Sequence, residues 1–414
     1  MQRIANFLCM TIMCVILFLG VVPALGDSVK PGDVIGPHNW EKVKGLVPTG
    51  LLPDIKQGST LEVKATVPIT FPKEFMEATR NYAGTAKTDS RGWLKNYLAG
   101  LPFPDLNTNE TGIGDKLIWN FRWRYQGDDY LTGMSYTPER GWYEARTHNW
   151  CWDKENREID LGQGHVDLKP MGRTQLNPKP LLPGQEGVED YGMLVGSYPR
   201  DKRGEVVVTK RYCDPDKFDD MYKYIITIRR IRRLPTQERG ATMAPTIFCM
   251  DDWRYFWGKI EHFKYNYLGE KKMLAIATRE GCKLDYKFWW PTGEKWELRD
   301  VYILEQIPRK DIYPKYPYSK RIFYLDKDSY MPWFIEMYDR KGEYWKVEIN
   351  PHGYFTNWDG KRDFLGMGTT GKDLQSGHRT SCQVFGTHNN TGLTADHFSL
   401  SKMIEISRMG VFRP

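Results

Sequence analysis

The feature that most constrains this chain is an alternation of apolar and polar residues with a period of two, repeated in segment after segment. Successive side chains of a strand point to opposite faces, so this pattern specifies strands with one buried and one exposed face. Leu117, Trp119, Phe121, Trp123 and Tyr125 share one face, with Asn120, Arg122 and Arg124 among the residues between them. Cys282, Leu284, Tyr286, Phe288 and Trp290 alternate with Lys283, Asp285 and Lys287; a turn at 291–294 and a strand over 296–304 follow. A second hairpin runs through 333–338, turns at Asp339-Arg340-Lys341-Gly342 and returns through Tyr344, Trp345, Val347 and Ile349. Both have turn-forming residues between two alternating runs, which is the mark of a hairpin.

Further strands are expected over 61–67, 205–212, 222–231 and 321–325. Helical periodicity is scarce. Its best instance is 72–83, where Pro72 opens the helix and Phe75, Ala78, Thr79 and Tyr82 form a stripe. Shorter helices are expected near 27–44 and 399–408. Hairpin-linked strands without intervening helices imply an antiparallel sheet. The Pro- and Gly-rich stretch 169–187 has strands of similar character on both sides, so it reads as a long surface loop inside one β-domain spanning 27–414.

Composition narrows the classes. With 15 Trp, 24 Tyr and 18 Phe in 414 residues, the chain carries far more buriable surface than a disordered one. The one apolar run approaching membrane-spanning length lies at the N-terminus: a basic start at Arg3, an apolar stretch over 4–22, and small residues around Ala24 and Gly26. That order reads as a signal peptide over 1–26, hence export. The net charge of +7 is modest, and its only dense basic cluster is Arg229, Arg230, Arg232 and Arg233, which gives no support to nucleic acid as a partner.

Local catalytic motifs are missing. There is no Gly-x-Ser-x-Gly, no His-Glu-x-x-His, no phosphate-binding loop and no dinucleotide fingerprint. The eight histidines never fall at i,i+2 or i,i+4, so no local pattern calls for a metal or cofactor. Cys151, Cys213, Cys249, Cys282 and Cys382 are widely spaced and odd in number, leaving disulfide pairing open. Asp251-Asp252 precedes an aromatic run; the two carboxylates serve either as counter-charges to arginines or, with a histidine, in a hydrolytic site assembled from distant residues. On a strand, Arg230 and Arg232 share one face and Arg229 and Arg233 the other. Arginines facing the inner side or the rim of the sheet need carboxylate partners or an anionic ligand.

Several segments carry a resemblance. Residues 92–104 followed by 116–120, residues 224–234 followed by Asp251-Asp252 and Tyr267-Leu268-Gly269, and residues 316–326 followed by 338–346 resemble, in order, the signatures of the domain of unknown function 1329 family of exported bacterial proteins. Tyr222 and Ile226-Thr227 depart from its usual Trp and Pro-Ala. The resemblance implies a fold like that of the lipoprotein carriers LolA and LolB: a strongly curved antiparallel half-barrel whose concave apolar face is covered by short helices. It also implies that the exported chain works in the periplasm or at the periplasmic face of the outer membrane, with a partner of the resistance-nodulation-division (RND) transporter class or an outer-membrane protein, and it supplies no catalytic residues.

Taken together, these readings describe a non-enzymatic carrier of a hydrophobic or lipid-like molecule. Trp119, Phe121, Trp123, Tyr286, Phe288 and Trp290 are the expected cavity lining. Arg229, Arg230, Arg232, Arg233, Asp251 and Asp252 are expected at the rim or in buried ion pairs. The competing reading is an envelope interaction protein with a dry core.

Overall fold

Hairpin after hairpin, the alternating segments assemble into one large sheet. The computed structural model describes residues 29–144, 148–153, 155, 157–235, 239–280, 289–366, 368–384 and 386–414, and the protein is mainly β, with 39% strand and 15% helix. Strands β1 (His148–Trp152), β2 (Glu158–Leu168), β3 (Val188–Tyr198), β4 (Val206–Tyr212), β5 (Asp220–Ile225) and β6 (Arg230–Arg233) pair antiparallel in sequence order. Strands β7 (Phe263–Ala275), β8 (Lys295–Pro308), β9 (Tyr318–Asp326), β10 (Pro332–Asp339), β11 (Tyr344–Ile349), β12 (Gly368–Asp373) and β13 (Arg379–Gln383) form a second antiparallel meander.

Pairing of β1 with β13 zips the two meanders into one curved sheet. Its outermost strands, β6 and β7, each pair with a single neighbour, so the sheet stays open and does not close into a barrel. A short parallel contact between Leu61–Val63 and the start of β8 makes it mixed.

Register separates the two faces. On the second meander, Leu304, Phe323, Leu325, Ile335 and Met337 look inward and pack with α3 (Ile113–Arg122). Val301, Ile322, Val347 and Ile349 look outward and are covered by the N-terminal segment, including Leu51, Leu61 and Ile55 of α1 (Leu52–Lys56). On the first meander the outward residues Val166, Met193, Val195 and Val208 are buried by Met403 and Ile406 of α4 (Leu400–Met409). The expected helix at 399–408 is therefore present, with the Ser399 side chain capping it by accepting the Lys402 amide. It covers the outer face, while α3 packs on the concave face, where the resemblance leads one to expect a short helix. Each large side chain buried in these layers contributes roughly 1.5–3 kcal/mol.

Several expectations are corrected. Residues 117–125 are not a strand. The segment is helix α3, followed by a loop, because Ile113, Leu117, Ile118 and Phe121 also fit a helical stripe, and a helix buried on most sides satisfies both periods. Gly114 lets this helix press onto β7, where a Cβ would meet the Tyr265 carbonyl oxygen at 2.5 Å. The run 222–231 is a hairpin, β5 turning into β6, with Arg229 at φ 52° in the turn. Over 29–44 there is a short strand (Val34–Ile35) and a 3-10 turn (Trp40–Val43) but no α-helix, and the expected strand at 61–67 ends at Val63. Helix α2 (Lys73–Asn81) lies where the 72–83 stripe puts it. The segment 1–26 and most of the alternating run at 282–290 lie outside the described residues.

Candidate functional site

The connection between β6 and β7 crosses the inner face of the sheet and builds the site. Its approach is permitted by Gly371 of β12, where a Cβ would meet Ile247 Cδ1 at 2.9 Å and the Phe248 ring at 3.0 Å. Ile247 N–H donates to Thr380 Oγ1 of β13 at 3.0 Å, and Lys346 Nζ of β11 donates to the Ile247 carbonyl. A 3-10 turn, Met250–Tyr255, follows Cys249, whose amide donates to Asp252 Oδ2 at 2.8 Å. Arg254 and Tyr255 then adopt left-handed backbone angles, φ 51° and 75°. Such angles cost a non-glycine residue on the order of 1 kcal/mol or more and persist only where the surroundings hold them.

What holds them is a buried charge network. Asp251 accepts from Arg239 Nε at 2.5 Å and from the Tyr316 hydroxyl at 2.8 Å. Asp252 accepts from Arg321 Nη2 and from the Tyr318 hydroxyl, both at 2.7 Å. Arg239 and Arg211 meet on Asp219, at 3.1 and 3.2 Å. Arg254 spans Asp190 at 2.9 Å, Asp167 at 3.3 Å and Gln126 at 2.6 Å. Burial raises the Asp251 carboxyl, but Arg239 and Arg321 outweigh it and hold the group below its usual range. Ion pairs this deep are helped by further hydrogen bonds, from Tyr316 to Asp251, from Tyr318 to Asp252 and from Trp257 Nε1 to Asp190 at 3.2 Å.

Between this connection and the sheet lies a cavity of about 260 Å3 with mostly apolar walls. Leu161 and His165 of β2, Leu194 of β3, Phe248 and Tyr255 of the crossing segment, and Val384 beyond β13 contribute to them, so both meanders and their seam take part. The His165 ring packs on Trp253 at 4.5 Å, and burial, reinforced by Arg254, pulls its pKa down to about 3, so it is neutral. Arg124 reaches the cavity from the end of α3; only 4% of the residue is exposed.

The structure distributes the sequence-selected residues as follows. Trp119, Phe121 and Trp123 are buried at α3: Trp119 Nε1 donates to the Gly92 carbonyl at 2.8 Å, Phe121 packs on Phe323 at 5.9 Å, and Trp123 lies 4.3 Å from Tyr97. Phe121 and Trp123 line a recess of about 20 Å3 that shares Arg124 with the main cavity. Trp290 sits in the outer core, stacked on Trp296 at 5.7 Å, with Nε1 donating to the Thr60 carbonyl at 3.2 Å. Tyr286 and Phe288 lie outside the described residues.

Arg229, Arg230, Arg232 and Arg233 are exposed at the β6 edge, where Arg233 pairs with Asp220 at 2.6 Å. Arg230 and Arg232 pair with Ile225 and Lys223 and follow the inner-face side of the sheet beyond its cover. Asp251 and Asp252 are buried but diverge to different arginines, which leaves neither free for a shared proton or cation. The arginines that matter inside, Arg124, Arg211, Arg239, Arg254 and Arg321, were not singled out by sequence. Only Arg321 carried a signal, since it shares strand parity with Phe323 and Leu325. Cys151, Cys213, Cys249 and Cys382 are free thiols, and Cys282 lies outside the described residues.

Among solved structures, a domain named for outer membrane lipoprotein sorting from Vibrio parahaemolyticus is similar at 19% identity, covering 70% of this chain and 97% of its own, with a TM-score of 0.49. A DUF1329 family protein from Desulfovibrio piger is 15% identical over 69% of this chain and 96% of its own, TM-score 0.47. A LolA superfamily protein from Nitrosomonas europaea is 12% identical over 68% and 94%, TM-score 0.41. No curated protein matches the sequence. The family described as "Protein of unknown function (DUF1329)" matches residues 34–403, nearly the whole described chain, and the protein belongs to that family.

Proposed function

We propose that this protein is a non-enzymatic binding or carrier protein that shields a hydrophobic or lipid-like molecule, working in the periplasm or at the periplasmic face of the outer membrane. The observation that carries this reading is the apolar cavity of about 260 Å3 between the crossing segment and the open sheet. A cavity of about 150 Å3 suffices for benzene, and drug-sized pockets start near 300 Å3. The occupant is therefore a short chain or small ring system, or one chain of a larger lipid. Apolar burial at roughly 25 cal/mol per Å2 supplies the affinity.

Saturation of Asp251 and Asp252 by arginine and tyrosine favours binding over hydrolysis, because neither carboxylate has a free edge aimed at a substrate. The family resemblance adds an RND-class transporter or an outer-membrane protein as the partner that loads or unloads the ligand. Native mass spectrometry of protein purified from its source, with titration by an uncharged fluorescent hydrophobe, tests the core of the proposal. Co-purified hydrophobe, and loss of probe binding when the cavity is filled by Leu194→Trp, are the expected results. An empty protein that binds no probe overturns it in favour of a dry interaction protein.

A further inference from the structure

Of the two arginines on the cavity wall, one is neutralised and one is not. Arg254 is paired with Asp190 and Asp167. Arg124, 4% exposed, has no carboxylate within salt-bridge distance among the described residues. Its Nη1 donates to the Phe121 carbonyl at 2.5 Å, and its Nε points at the Met331 thioether sulfur at 3.0 Å, a weak acceptor. The guanidinium lies over the Phe121 ring at 4.3 Å and near the Tyr255 ring at 5.5 Å, contacts that orient a cation without cancelling its charge. Burial, with Arg254 and Arg122 adding repulsion, brings its pKa down to about 9, so it remains a cation at neutral pH.

A buried guanidinium with unused donors is costly unless something anionic meets it, and its planar fork matches a carboxylate or phosphate. We propose that Arg124 is the head-group site of the cavity, and that the ligand is a single-chain amphiphile with one anionic group, carboxylate or phosphate, set against Arg124 while its apolar part fills the space lined by Leu161, Leu194, Phe248 and Val384. This rests on the carrier reading above and specifies the chemical class it leaves open.

The test compares decanoate, decyl phosphate and decanol by calorimetry on the full chain and on Arg124→Met. Wild type binds one or both anions about tenfold or more tightly than decanol, the gain expected of a charge-assisted hydrogen bond. Arg124→Met keeps decanol binding and loses that advantage. Preference for decanoate or for decyl phosphate assigns the head group. The variant is expected to fold, since replacing a buried unpaired charge by an apolar side chain of similar length is neutral or stabilising. Should circular dichroism show otherwise, Arg124→Lys serves instead: it keeps the charge, loses the fork, and cuts the anion advantage several-fold. Decanol binding as tightly as the anions, or an advantage that survives substitution of Arg124, overturns the head-group assignment and leaves the carrier reading standing. Failure of all three probes to bind overturns the carrier reading and this inference together.

Discussion

The two meanders use the same strand pattern to opposite ends. The second, β7 to β13, is packed over most of its area on both faces: Phe323, Ile335 and Met337 inside against α3, and Val301, Val347 and Ile349 outside against the N-terminal segment. The first, β1 to β6, is packed on its outer face by α4, while its inner face carries His165, Asp167, Asp190, Thr209 and Arg211. The crossing segment buries those polar groups too, with the Arg211 guanidinium lying 4.6 Å over the Trp257 ring, so the first meander's inner face is a buried charge layer where the second's is mostly apolar. The cavity opens where the two regimes meet.

The largest effect that sharpens this contrast comes from removing one acid on each side of the crossing segment's network, the partner of Arg321 on β9 and the β3 partner of Arg254. Asp252→Ala strands Arg321, 1% exposed at its side chain, with only Gln306 and Tyr316 as acceptors of note. A loss of about 3–5 kcal/mol is expected. Asp190→Ala leaves Arg254, 16% exposed, still held by Asp167 and Gln126, and a loss of about 1–3 kcal/mol follows. Urea unfolding of both variants measures the difference, and equal losses would erase the distinction between the two sides.

The second meander was the more legible of the two, and for physical reasons. In the β10–β11 hairpin, Trp333 to Ile349 alternate on either side of a turn that Asp339 closes, its Oδ1 accepting the Lys341 and Glu343 amides at 2.9 Å each. Local chemistry and tertiary packing agree there. In α3 they diverge: Trp119, Phe121 and Trp123 fit a period of two, yet Leu117, Ile118 and Phe121 fit a helix, and only the sheet that covers the segment decides. Of the aromatics selected for a cavity wall, Trp119, Phe121 and Trp123 lie at that helix and Trp290 in the outer core. The wall itself comes from short contributions of many segments, Leu161, Leu194, Phe248 and Val384 among them, which no single run of sequence brings together. Arg124 is flanked by Trp123 and Tyr125, and nothing local marks it as the charge without a partner.

Acid stability has a smaller effect, and one that the two halves share. His352, fully buried beside the second meander, donates Nδ1–H to the Asn350 carbonyl at 2.7 Å and sits among Trp333, Tyr255 and Phe364. Burial pulls its pKa down to about 3. In the unfolded chain a histidine takes up its proton near pH 6.5, so the contribution is complete above that value and is lost as pH falls from about 6.5 toward about 3. The slope is up to about 1.4 kcal/mol per pH unit. His352→Phe keeps the ring packing and flattens that limb of the stability curve. His165, on the cavity wall, is pulled down to the same value of about 3, so His165→Phe is expected to flatten the limb equally. Urea midpoints taken between pH 7 and pH 4 give the two slopes, and a smaller change for His165→Phe would mean that the cavity lets that ring take up its proton in the folded state.

The smallest thermodynamic effect is expected at the sheet's two ends. At β7 the edge is guarded by α3, which lies close enough for Gly114 to touch the strand's backbone. At β6 the guard is charge alone: Arg230, Arg232 and Arg233 are exposed, and the pair of Arg233 with Asp220 is a surface ion pair worth about 0–1 kcal/mol. Arg230→Ala with Arg232→Ala is therefore expected to move stability by no more than about 0.5 kcal/mol. Its consequence is intermolecular, because an uncharged edge strand offers a row of unpaired amides and carbonyls to a second copy. Sedimentation velocity at rising concentration should show self-association in the double variant and none in wild type. A variant that stays monomeric would mean that the twist of β6, and not its arginines, keeps that edge from pairing.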